Sequence, residues 1–318
     1  MNKSSALRLL QDASNSLFGD SFWRNPQIKL RTVYWINGLS NYPILNALTK
    51  NTLLGSATAS QRGDPEHLGI LMWPLVDARW NATKRLEMMA SHYHEANSIG
   101  AGLTLAIDEV KTLVQFADDL SILSIRLERQ GFFRREGQLA LSLFHGEDRI
   151  YSVAFLISQA GGERVAYVGA IQGVKQSEDS SLYKTLTKDA HGLRPRDFTI
   201  SAFLVFCKAI GVHCVYAVRD DNRQHRHSYF GRGGKAEVFA NYDVVWEEHE
   251  GKATPDGYFE LPVGIRIKDP ASIPSKKRSM YRKRYALLED VQSAIKAAIA
   301  ENAAVRLDGI HGVPTPEA

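Results

Sequence analysis

The chain has 318 residues, 44% of them hydrophobic and 23% charged, with a net charge of +4. That is enough apolar material for one large domain or two ordinary ones, and the near balance of charge excludes a polycation that attracts anions over its whole surface. No run of about 20 apolar residues reads as a membrane span, and the amphipathic start MNKSSALRLLQDASNSLF lacks the apolar core of a secretion signal.

In chain order, Ala6 to Phe18 carries leucines at helical spacing, and Trp80 to Ser98 predicts a second helix. LTLAIDEVKTLVQFADDLSILSI predicts a third, turning to strand near Leu123. Together these make residues 1–130 a mostly helical part. From residue 131 to 318 the character changes to strands with flanking helices. Leu139, Leu141 and Leu143 alternate with small or polar residues. Gly146-Glu147-Asp148 turns the chain into a strand over Tyr151 to Ser158, and Ala160 to Glu163 turns it into another over Arg164 to Gly173. In LRPRDFTISAFLVFCKAIG, Pro195 suits a first helical turn and Gly211 a C-terminal cap, and the apolar residues between them on every side predict a buried helix. VHCVYAV then reads as a buried strand, YFELPVGI as a further one, and Tyr281 to Asn302 as the closing helix. The fold class expected is mixed α/β. Cys207 and Cys214, seven residues apart in apolar sequence, read as buried free thiols, which fits a reducing, cytoplasmic setting with peripheral contact at the inner membrane left open.

Candidate chemistry is sparse. His225 and His227 form an HRH pair without the partner ligands a zinc site needs, so no metal is expected. HGLRPRD places Arg194 and Arg196 on either side of Pro195 at a helix start, where free N–H groups and guanidinium groups favour an anion.

The order strand, loop, helix, strand around this segment resembles the core of the GNAT acyltransferases. The resemblance implies a phosphate-bearing acyl donor, either an acyl thioester of coenzyme A or of an acyl carrier protein, with an aminoacyl-tRNA as the other class of donor. Its arm would lie along the backbone of Ala170 to Gly173, including Gln172 and Gly173, and its phosphate would meet Gly192, Arg194 and Arg196. The spacing of Asn222 and Tyr229 is similar to that of the GNAT asparagine and acid tyrosine. It implies Tyr229, or the nearby His225 or His227, as proton shuttle. Over a longer stretch, EGQLALSLF, YVGAIQG, HGLRPRDFTISAF, YDVVWEE, GYFELPV and IPSKKRSMYRKRYALLED resemble the VirK/YbjX family of proteobacterial proteins, from about Arg85 to Asp290. That resemblance implies a cytoplasmic bacterial protein associated with virulence and envelope resistance, without a settled activity.

IPSKKRSMYRKRYALL raises the last question. Six of the ten residues from Ser275 to Arg284 are Lys or Arg, and none is acidic. Lys276, Lys277, Arg278, Arg282 and Arg284 are candidates for holding an anionic substrate. Tyr281, Tyr285 and Leu288 share one face of the predicted helix, with Arg278 or Arg282 expected to approach Arg194. The leading expectation is a transferase acting on an amine or hydroxyl of an envelope-related or peptide substrate. The alternative is a non-enzymatic adaptor or regulator that binds anionic lipid or nucleic acid through residues 276–284.

Overall fold

Alternating apolar residues over 139–173 build the centre of the molecule. The computed structural model describes residues 4–19, 28–50, 65–100, 102–116, 122–173, 180–235 and 241–310. Within them, eight strands form one sheet: β1 (Val110–Gln115), β2 (Leu123–Glu128), β3 (Leu139–His145), β4 (Asp148–Ala160), β5 (Glu163–Gly173), β6 (Cys214–Val218), β7 (Lys252–Ala253) and β8 (Tyr258–Leu261). The order is β1-β2-β3-β4-β5-β6-β8-β7, antiparallel throughout except for the β5/β6 pair. The fold is mixed α/β, as its sequence predicts.

The helices are α1 (Ser4–Phe18), α2 (Ile28–Ser40), α3 (Tyr42–Lys50), α4 (Ala82–Ile99), α5 (Ser180–Asp189), α6 (Pro195–Ala209), α7 (Tyr242–Glu248) and α8 (Arg278–Ile310). Neighbouring residues of β4 point to opposite faces, and they separate two cores. Phe155 belongs to the core under α6 and α8, with its ring centroid 4.9 Å from Phe203 and 5.8 Å from Phe206. Leu156 belongs to the core shared with α1, α2 and α4, where Leu10, Tyr34, Leu71 and Leu86 are buried. The predicted buried helix is α6, which buries residues on all sides from Pro195 to Cys207. Cys207 and Cys214 are both buried free thiols.

One expectation fails. The third helix, predicted over LTLAIDEVKTLVQFADDLSILSI, is strand β1 in its first part; residues 117–121 lie outside the described set, and β2 begins at Leu123, where the turn to strand is expected. The apolar residues of β1 fit both periods. Thr112 and Val114 are β-branched, and pairing of β1 with β2 decides in favour of strand. The sheet therefore starts at Val110.

Two glycines set the geometry at the sheet centre. Between Ala154 and Phe155 of β4 the register with β5 shifts: Ala154 faces Ala170, Phe155 faces Val168, and Gly169 is the extra residue of a bulge. A Cβ on Gly169 would lie 2.1 Å from the carbonyl oxygen of Glu136, and one on Gly137 would lie 2.4 Å from the backbone nitrogen of Phe155. The segment ahead of β3 thus lies directly against the bulge, with no room for a side chain on either partner.

Gly169→Ala and Gly137→Ala should each destabilise the chain by about 2–4 kcal/mol in urea unfolding, since only backbone can move to relieve the clash. Gly161→Ala, in open space at φ +60, should cost only about 1 kcal/mol from its left-handed backbone.

Candidate functional site

The start of α6 is built from charge. Arg194 is the N-cap residue, Pro195 follows it, and Asp197 lies in the first turn. Arg194 Nε donates to Asp197 Oδ2 at 2.5 Å, and its Nη2 to Glu248 Oε2 at 3.0 Å. Arg196 Nε donates to Asp197 Oδ1 at 2.9 Å, and its Nη2 also bonds Glu248. Opposite them, His249 Nε2 lies 3.5 Å from Asp197 Oδ1. Burial opposes ionisation of Asp197, but His249, Arg194 and Arg196 together hold its carboxyl well below the usual range. The two guanidinium groups therefore already face two carboxylates. Arg194 keeps 55% of its side chain exposed, and Arg196 keeps 23%, so the outer edge of Arg194 stays open to a ligand.

Two cavities flank this cluster. One, of about 490 Å³, lies at the end of β5 and is lined by Tyr151, Tyr183, Lys184, Thr187, Arg194 and Arg196. Gly173 packs beneath it, since a Cβ there would lie 2.7 Å from the Tyr151 ring and 3.2 Å from the Tyr183 hydroxyl. The other, of about 450 Å³, is a cleft between α6 and α8 that includes Arg194, Glu248, His249, Tyr281, Arg284 and Tyr285.

Arg284 is the cation of the basic block that turns inward. Its Nε and Nη2 donate to the carbonyl of His191 at 3.3 and 3.2 Å, and its guanidinium lies 4.4 Å from the centre of the Tyr281 ring. Gly192 permits this approach, because its φ is +81 and a Cβ would stand 3.0 Å from Arg284 Nη2. The expectation that Arg278 or Arg282 would approach Arg194 is corrected. Helical spacing from Arg278 puts Tyr281, Arg284, Tyr285 and Leu288 on the face toward the cleft. Arg278 instead donates to the Ile273 carbonyl at 3.3 Å, and Lys276, Lys277 and Arg282 are exposed.

The strand ends above the first cavity are held apart by Tyr242. Pairing of β5 with β6 runs from Val165 opposite Cys214 to Val168 opposite Ala217. Past the bulge, the Tyr242 hydroxyl accepts from Ile171 N at 2.9 Å and donates to Ile171 O at 2.8 Å. Burial pushes the Tyr242 phenol up to about 12, and the Arg223 guanidinium covers its ring at 3.7 Å. The Ile171 backbone, in the stretch where a donor arm is expected, already has this partner. Gln172 is exposed, stands opposite Ser152, and lines neither cavity.

Tyr229, His225 and His227 lie elsewhere, in the 3-10 segments spanning Gln224–Arg226 and Ser228–Lys235. Tyr229 packs against the helical core, with Arg135 5.3 Å from its ring centre. His227 Nδ1 accepts from Tyr229 N at 3.0 Å. Burial lowers the pKa of both histidines, helped by Arg223 and Arg226 at His225 and by Arg85 at His227. Asn222 donates to the Gly257 carbonyl at 2.9 Å and serves the turn before β8. Thus Gly173, Gly192, Arg194, Arg196 and Arg284 gather around one cluster, and the proposed proton shuttles do not join it. Among the described residues, no three His, Cys, Asp or Glu side chains are grouped to hold a metal ion.

Sequence reasoning missed Asp197, Glu248, His249 and Tyr242. A signal existed for the last three: Asn241 caps α7 through Asp243 N, and Tyr242, Val245 and Trp246 fall at helical spacing.

A mixed sheet with one parallel pair, parted by a tyrosine beside a paired-arginine helix start, defines the class of architecture. By sequence, the chain belongs to the family described as protein of unknown function DUF535, whose model matches residues 23–297. It is 27% identical over 276 residues to the uncharacterized protein YbjX of Escherichia coli (strain K12), covering 82% of this chain and 77% of that protein. Two uncharacterized proteins of Haemophilus influenzae are also similar. One is 27% identical over 68% of this chain and 71% of its own length, the other 30% identical over 51% and 52%. No solved structure matches the chain. No helix among the described residues is long and apolar enough to cross a membrane.

Tyr242→Phe should cost about 2 kcal/mol in urea unfolding, because it strands the buried N–H and C=O of Ile171. A second expectation concerns Glu136, whose carboxyl burial pushes up to about 7 despite its contact with Gln224. Between the unfolded value, roughly 4.3, and that pH, the folded chain keeps a proton that the unfolded chain has released. Stability contributed by Glu136 should therefore fall as pH rises through this window and level off above it. Glu136→Gln should remove that slope, gaining on the order of 2–3 kcal/mol relative to wild type between pH 5 and pH 8.

Proposed function

We propose that this chain is an acyl- or aminoacyl-transferase of GNAT-like type, acting on an amine or hydroxyl of an envelope-related or peptide substrate in the cytoplasm. One observation carries the reading. The bulge at Gly169 interrupts β5 just where β5 leaves its parallel neighbour β6, and the connection between those strands brings the start of α6 back to the end of β5. In strand order, too, four antiparallel strands lead to one parallel pair, and the last two strands add in reversed order. By fold analogy, this resembles the GNAT arrangement.

In this reading the donor's phosphate enters the cavity at the end of β5. Lys184, Arg196 and the outer edge of Arg194 supply charge, and the Thr187 hydroxyl lies in the same lining. The reactive arm runs toward the parting of β5 and β6, where it takes the backbone of Ile171 by displacing the Tyr242 hydroxyl. Tyr242, in place of Tyr229, then gives its proton to the leaving group as the donor's acyl bond breaks and takes up the proton released by the acceptor's amine or hydroxyl. The acceptor attacks directly, with no covalent intermediate on the protein.

Native mass spectrometry and calorimetry of the full chain with coenzyme A, an acyl carrier protein and an aminoacyl-tRNA test the proposal. One of the three should bind, and Lys184→Gln or Arg196→Gln should weaken it about ten- to a hundredfold, the loss of a charge-assisted hydrogen bond. Binding by none of them, or binding unchanged in both variants, would sink it.

The exposure of Lys276, Lys277 and Arg282 favours a second reading, an adaptor for anionic lipid or nucleic acid at the inner membrane or on a polynucleotide. In that case binding falls steeply between low and moderate salt, and Arg282→Lys is nearly silent.

A further inference from the structure

We infer that the cleft between α6 and α8 is a binding site for a nucleoside diphosphate, with its phosphates held at Arg284 and Lys268 and its base against Tyr281 and Tyr285. The inference is separate from the transfer reaction and stands whether or not a group is transferred.

Charge comes first. The lining carries Arg194, Arg266, Lys268 and Arg284 against Asp197 and Glu248. Arg194 spends its charge on those two carboxylates, and Arg266 faces Glu250 at 2.5 Å. Arg284 and Lys268 have no carboxylate within ion-pair distance among the described residues. The only hydrogen-bond acceptor Arg284 meets among them is the neutral carbonyl of His191. Arg284 and Lys268 thus carry charge that no carboxylate pairs directly, Glu250 acting on Lys268 only at longer range, and both can serve a multiply charged anion.

The second observation is independent of charge. His249 is only 5% exposed and lines this cleft, and its Nδ1 has no hydrogen-bond partner. Arg266, in the same lining, has a buried Nε that is likewise unpartnered. Buried polar atoms are almost always satisfied, so two orphaned atoms beneath the lining of one cleft mark a place where a polar ligand, with a small shift of these side chains, completes the bonding.

Shape and chemistry narrow the ligand. About 450 Å³ is within the range of small-molecule sites. Tyr281 and Tyr285, 6.0 Å apart between ring centroids, form an aromatic wall beside the cations. The Tyr285 hydroxyl is fixed by accepting from Lys268 N at 2.9 Å. A planar base suits that wall, because every nucleobase has a face to stack.

The test is calorimetric titration of the full chain with ADP, inorganic pyrophosphate and adenosine at about physiological salt. ADP should bind with a sub-millimolar Kd, pyrophosphate about tenfold more weakly, and adenosine more weakly still. Arg284→Gln and Lys268→Gln should each weaken ADP at least tenfold. Tyr281→Leu should remove the advantage of ADP over pyrophosphate. Lys276→Gln combined with Arg282→Gln, on the exposed part of the block, should change ADP binding less than twofold. Because Arg284 also holds the His191 carbonyl, Arg284→Lys serves as a second variant. It keeps the charge and should show an intermediate loss with an unchanged melting temperature. No ADP binding at millimolar concentration, equal binding of ADP and pyrophosphate, or equal losses in the inward and outward variants would each overturn the assignment.

Discussion

The contact between the backbone of Glu136 and the bulge at Gly169 governs much of what surrounds it. With no side chain at Gly169, the segment entering β3 presses against β5 and the strand takes its extra residue. The extra residue turns β5 away from β6, and the gap so opened is filled by Tyr242. Tyr242 opens α7, and Trp246 one turn later donates to the Val218 carbonyl at 2.9 Å. The far end of that short helix delivers Glu248 and His249 to the start of α6. The bulge and the charged cluster are thus joined by one short helix, anchored at one end by the Tyr242 hydroxyl and bearing Glu248 at the other.

At the start of α6 the protein supplies its own anions. A helix N-terminus favours negative charge, and Asp197 in the first turn with Glu248 from α7 provides it. The two arginines act as the clasp between these carboxylates. Of the pair, Glu248 is 42% exposed and Asp197 only 17%. Any incoming phosphate therefore competes with Glu248 and leaves Asp197 in place under its arginines and His249. Displacing one exposed carboxylate costs far less than breaking a buried one, so the cluster can be occupied at rest and still yield to a ligand.

Much of the frame was legible in the sequence because its signals are local. Leu139, Leu141 and Leu143 alternate, Gly146 and Gly161 turn the chain, and Pro195 opens a helix apolar on every side. Strand β1 was not legible, since its residues satisfy either period and only pairing with β2 chooses. The candidate site was legible in half. Arg194, Arg196, Gly192 and the block containing Arg284 were marked by their clustering. Asp197, one residue from Arg196 and three from Arg194, lay within reach of a spacing rule, whereas the pairing of Arg196 with Glu248 across 52 positions and of Tyr242 with Ile171 across 71 did not. No spacing rule reaches that far. The similarity of Asn222 and Tyr229 to a known pair misled for the same reason: an offset of seven residues does not fix where a loop folds.

A sheet of eight strands is a ready template for more, since each edge offers a row of unpaired backbone groups. Here both ends close themselves. At one margin β7 is two residues long. At the other, β1 breaks register between Thr112 and Val114, carries Lys111, and lies against α8. Among the described residues, the sheet therefore presents no long straight edge by which copies could join. An assembly of copies built on this sheet would rest on side-chain surfaces rather than on shared backbone ladders.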